Sequence, residues 1–320
     1  MNELIPDFDW HRVVVSPWTT DFGTFGWIML MGFLVTATCG LVGNYLLLRR
    51  LALMGDAISH SVLPGLVIAF LLSQSRGTLP MFLGALAAGM LATGLIELIH
   101  TKTRVKQDAA MGIAFSTLFA IGVVLTAIFT AQVDLDADCV LYGEIAFVPL
   151  EPHARAGGWD FGPEPVARMG AVFLGVVMLI VFFYKELLVT SFDAGLSRSL
   201  GINPAVAHFS LMAVLSIVIV SAFESVGAIL VIAMLILPGA TASLLTKRLG
   251  RVHFLSVLHA AISAVAGTHL GLWLECSLGA AMVVCGAMLF ALAWIFAPDN
   301  GLVTQWLRRF APAGAPPVRS

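Results

Sequence analysis

Long apolar runs separated by short polar patches make up most of the chain. Nine of them are long enough to cross about 30 Å of hydrocarbon as helices. They fall near residues 26–48, 57–74, 79–100, 110–130, 168–189, 205–222, 226–245, 253–272 and 278–297. Several are short, and 205–245 is nearly continuous apart from Glu224. Eight crossings with one re-entrant piece is therefore the alternative pattern. Composition agrees with the pattern: of 320 residues 59% are hydrophobic and only 11% charged, with a mean hydropathy of +0.96. A soluble domain does not have this balance. The expectation is an all-α polytopic membrane protein.

Charge placement orients the runs. Arg49 and Arg50 follow the first run, Lys102, Arg104 and Lys106 the third, Lys185 and Arg198 the fifth, Lys247, Arg248 and Arg251 the seventh, and Arg308 and Arg309 the last. With Arg319 that puts 13 of the 17 basic residues on one side, leaving Arg12, Arg76, Arg155 and Arg168 opposite. The rich side is cytoplasmic by the positive-inside rule. Residues 1–24 are then an extracytoplasmic segment, 25–298 the membrane domain and 299–320 a cytoplasmic tail too poor in apolar residues to fold. Residues 1–24 also lack a basic region leading into a short apolar core, so the first run is expected to stay as a span. A net charge of −2 argues against a nucleic-acid partner.

The polar residues nearest the apolar runs carry the chemistry. Asp56 and His60 are four residues apart, on one helix face and roughly 6 Å apart along the axis. Pro64 has no N–H to offer the His60 carbonyl, so carboxylate, imidazole and a freed backbone oxygen converge on one turn. A mixed oxygen and nitrogen set of this kind suits a first-row divalent cation. On spacing alone, Asp56 as a helix cap and His60 as a packed ring is the other reading. Pro238 repeats the kinking device for the carbonyl of Met234, and Glu224 is expected at the outer start of that helix, where an acid by default faces water or an ion path.

Two connections stand out. The outer one, 131–167, carries Asp134, Asp136, Asp138, Glu144, Glu151 and His153. Counted as a calcium loop from Asp134, it puts Cys139 in the glycine position and Ile145 in the bidentate glutamate position, so that motif fails. It is expected to be a solvated loop or docking surface, with 140–148 an interfacial or re-entrant helix. The inner one, 191–202, can form a short helix capped by Asp193 and ended by Gly201. Several enzyme classes drop out. None of the four lysines follows a glycine as a phosphate-cradling loop requires. His253, His259 and His269 share a span but form no His-Glu-x-x-His, and His259 and His269 are expected as hydrogen-bonded or pore-lining groups. The four cysteines contain no C-x-x-C pair, and nothing in the spacing supports a bond between Cys139 and Cys276.

Five blocks, in order, resemble the permease subunits of the manganese/zinc/iron ABC importers. They are Arg49 to Gly65 with its Gly-Asp-Ala-x-Ser-His core, Asp108 to Gly112, Asp136 with Leu141 to Gly143, Phe192 and Asp193 with Leu200 and Gly201, and Val226 and Gly227 through Leu237 to Ala242. The resemblance runs from about 25 to 297. It implies a vitamin-B12-importer-like permease in a bacterial inner membrane, paired with a second copy of itself or a related permease. It also implies two cytoplasmic ATPase subunits and an extracytoplasmic metal-binding protein, with no bound cofactor and ATP used only by the partner. It further implies that Asp56 and His60 lie on the metal path and that 192–201, with Phe192, Asp193, Leu196 and Gly201, couples to the ATPase. The chain departs from the family at Cys276 to Gly279, where Pro-Ser-Gly is common, and at Glu224, which many relatives lack. Oxygen donors lean toward manganese or ferrous iron over zinc. A secondary transporter or channel that uses Asp56 and His60 without an ATPase is the alternative.

Overall fold

A computed structural model describes residues 6–74, 78–129, 144–156, 158–298 and 301–305 of the chain. The molecule is organised on α1 (Phe22–Leu48), which is buried on every side from Ile28 to Leu46 apart from Leu30 and Phe33. A helix apolar all round has no water-facing stripe and belongs inside a bundle. It packs against α6 (Glu164–Phe182), α10 (Ala228–Leu245) and α11 (Leu249–Leu274). At Gly43 a β-carbon would fall 1.9 Å from the Leu235 carbonyl oxygen. Only glycine lets the two backbones touch there, the close approach that favours helix association in lipid.

Beside this core lie α2 (Met54–Ser61) and α3 (Leu63–Ser73), then α4 (Thr78–Lys102) and α5 (Gln107–Phe129). α2 and α3 together make one span. They join at Val62, and Pro64 stands in the first turn of α3, where a proline is tolerated because the N–H it lacks has no intrahelical acceptor.

Among the described residues, eight helical segments are long and apolar enough to cross a membrane, and Ile229–Leu245 is a shorter apolar helix. Leu230 lies beside Gly279 and Leu237 beside Gly286, so α10 runs parallel to α12 (Leu278–Phe296). Its 18 residues amount to about 27 Å, nearly the full apolar depth.

The structure corrects several boundaries. The fifth run stops at Phe182; after a break at Phe183, α7 (Tyr184–Phe192) and α8 (Ala194–Ser199) carry the chain to α9 (Pro204–Val226). Phe192 therefore ends α7 and is not part of the short helix. Glu224 is in the last turn of α9, not at the start of α10, because the helices are divided at Gly227 with φ of 83°. A helix C-terminus is the end that an acid does not complement. In the outer connection, Ile145–Leu150 is a 3-10 helix, followed by the antiparallel hairpin β1 (His153–Ala156) and β2 (Trp159–Pro163). Asp134, Asp136, Asp138 and Cys139, with the rest of 130–143, lie outside the described residues, as do 306–320. Thr304 bonds back to the Ala297 carbonyl at 2.9 Å.

Candidate functional site

α2 is short and two-faced. One face packs inward, with Gly55 against Leu235 and Ile58 beside Gly89 of α4. The opposite face presents Asp56 and His60. His60 Nε2 stands 3.2 Å from Asp56 Oδ1, with the two side chains 30% and 34% exposed. The imidazole is held from the α5 side by Phe115 and Phe119, each with its ring centre 5.9 Å away. Two donors about 2.0–2.2 Å from one ion and near a right angle to each other are about 3 Å apart. The pair is thus set at the bite of a chelating metal ion while part of each side chain remains open. The serines of the same block are spent on the helix itself: Ser59 donates to the Gly55 carbonyl at 2.8 Å and Ser61 to that of Ala57 at 2.6 Å.

Glu224 stands apart. Gly89 meets both Ile58 and Ser216, which places Ser216 of α9 level with the middle of α2. Glu224 is two turns further along α9, about 12 Å by helical rise, and its side chain lies outside the described residues. Among the described residues, no group of three or more His, Cys, Asp or Glu side chains converges on one point.

In the 191–202 connection, Asp193 caps α8 by accepting from the backbone N–H groups of Gly195 at 2.8 Å and Leu196 at 3.0 Å. Gly201 follows the helix with φ of 81°. Phe192, Leu196 and Leu200 are all at least half exposed, a row of apolar groups on a segment outside the spans. Arg49, at the end of α1, donates to Thr190 at 3.0 Å and Ser191 at 3.1 Å. The end of the central helix is thereby tied to the residues just before 192–201.

Sequence spacing missed three clusters because their members lie on different helices. Asn44 donates to His253 Nδ1 at 2.9 Å and accepts from Ser256 at 3.2 Å, while His253 Nε2 donates to the Tyr45 hydroxyl at 3.1 Å. That network is fully engaged in joining α1 to α11. At the outer end, His269 donates to the Val13 carbonyl at 2.7 Å and accepts from Trp18 at 3.1 Å; His259 is buried among the spans. The third cluster is a second acid and imidazole pair, Glu97 and His208, 3.6 Å apart between α4 and α9. On the outer hairpin His153 donates to Asp160 at 3.0 Å. That bond, with the Gly162 N–H and the nearby positive charges, holds the Asp160 carboxyl below its ordinary value.

Residues 22–297 match the model of the ABC 3 transport family. A manganese transport system membrane protein, MntD, from Bacillus subtilis is 44% identical over 282 residues, covering 88% of this chain and 95% of its own. A zinc transport system membrane protein, TroD, from Treponema pallidum is 39% identical, covering 88% of this chain and 76% of its own. The solved structure of PsaBC from Streptococcus pneumoniae in complex with Fab aligns with a TM-score of 0.75 at 31% identity, over 94% of this chain and 99% of that one. The fold is the all-helical, vitamin-B12-importer-like one expected from the sequence. The chain belongs to the ABC 3 transport family, as a multi-pass membrane permease subunit.

Proposed function

We propose that this chain is the permease of an ATP-driven importer of divalent transition metal ions, with manganese preferred, and that Asp56 and His60 are ligands on its ion path. The observation that carries the reading is the pair itself: a carboxylate and an imidazole at chelating distance, a third exposed, on a span with an apolar interior. An acid placed there without a polar role is costly. Among the described residues one protomer offers only these two side chains, so a second copy across a two-fold axis completes the set with its own pair. Such coordination stays partial and exchangeable, as a site that must release its ion requires. The manganese and zinc names of the relatives support the cargo class, and the carboxylate oxygen supports manganese within it.

Energy comes from a cytoplasmic ATPase, in two copies, docked on Phe192 to Gly201, and metal arrives from an extracytoplasmic binding protein. The N-terminus is outside and the C-terminus inside, following the basic residues. Glu224 acts at the outer end as an entry carboxylate. The test is uptake of radioactive manganese into proteoliposomes carrying the permease with its ATPase and binding protein. Uptake that requires ATP is expected; uptake driven by an ion gradient without the ATPase contradicts the reading. Glu224→Gln should slow manganese more than zinc in the same assay, and equal slowing removes Glu224 from selection.

A further inference from the structure

We propose that Glu97 and His208 form a second, inner divalent-metal station, occupied after an ion leaves Asp56 and His60; this rests on the importer reading above. Glu97 lies near the end of α4, five residues before Lys102, and His208 in the second turn of α9. Both are at the end of the bundle that carries Arg49, Lys102 and Arg198. Two counts place the pair relative to α2. Gly89 and Ser216 meet at the level of Ile58. Glu97 is eight residues on from Gly89 and His208 eight residues back from Ser216, and the antiparallel helices carry both about 12 Å toward that end.

The geometry is that of an open clamp. The gap of 3.6 Å between Glu97 Oε2 and His208 Nε2 is too long for a hydrogen bond. His208 Nε2 is buried and has no hydrogen-bond partner among the described residues. A buried ring nitrogen left open in this way calls for an unseen partner, an ion or a water. Donors about 2.0–2.2 Å from one ion span roughly 3.6 Å when the angle between them is a little wider than tetrahedral, so a divalent ion fits between them. Glu97 is 31% exposed, so the ion and the water that completes its shell would approach from the carboxylate side.

The test uses the full permease with its ATPase and binding protein in proteoliposomes, and reads ATP-driven manganese uptake for Glu97→Gln, His208→Leu and His208→Glu, with assembly checked by copurification. A second carboxylate at 208 can ligate manganese but repels Glu97 when no ion is present. A structural pin and a metal station therefore respond in opposite ways. Glu97→Gln and His208→Leu should lower the maximal rate by about tenfold or more, the scale of a lost metal contact, while His208→Glu keeps most of it. Loss in His208→Glu as deep as in His208→Leu, or wild-type rates in all three, overturns the station. Absence of ATP-driven uptake by the unaltered complex contradicts the importer reading instead, so the two failures are told apart.

Discussion

His60 and Ser59 are neighbours in one motif but have different duties. The Ser59 hydroxyl is committed to the Gly55 carbonyl, a bond worth about 1 kcal/mol to the helix, whereas His60 faces Asp56. Ser59→Ala should therefore transport manganese at close to the wild-type rate; a loss as deep as that of His60→Ala would make the hydroxyl a ligand. Asp56 and His60 were legible in the sequence because four residues make one helical face. Glu97 and His208 were not, since their meeting depends on how α4 and α9 pack. On the outer hairpin, the lowered Asp160 carboxyl sets a direction with pH. A depressed carboxylate contributes stability that is present above its unfolded value and lost as pH falls through the folded one. The ordinary value is 3.8, so amide protection across the hairpin, corrected for the intrinsic exchange rate, should hold at neutral pH and fall below about pH 4, with His153→Ala removing most of that dependence. A protection factor independent of pH across that range counts against the contact.

Among the elements, α8 is the most exposed to test. Its N-terminal side-chain cap is Asp193, and losing such a cap costs about 1 kcal/mol, enough to fray six residues without unfolding the bundle. Asp193→Ala and Phe192→Ala should leave the protein in the membrane and uncouple ATP hydrolysis from uptake. A cysteine at position 196 should crosslink to the ATPase. Normal coupling in both variants with no crosslink discards the docking assignment. Elsewhere Gly43→Ala forces a β-carbon onto the Leu235 carbonyl. Overpacking typically costs about 1–3 kcal/mol, so a lower melting temperature in detergent is expected, and an unchanged one means α1 and α10 can part freely. The α9 to α10 boundary was misread for a physical reason: Glu224 looks like the polar break between two apolar runs. The break is instead Gly227, whose positive φ only the backbone reveals.

At the scale of the whole molecule, hydropathy alone located the long helices among the described residues, because spanning helices must satisfy their backbone within themselves and leave an apolar surface of fixed length. It could not say which run is central. α1 holds that place through Asn44, Tyr45 and its glycines, whose partners are some two hundred residues away. The same helix ends at Arg49, which holds Thr190 and Ser191, so the central helix is tied to the connection that begins at 191. The most direct measurement is ATP-driven uptake of manganese by Asp56→Ala and His60→Ala complexes, with membrane insertion and ATPase copurification confirmed for each. Uptake at background in both variants, with assembly intact, is the predicted result. Uptake at the wild-type rate by either contradicts an ion path through this pair.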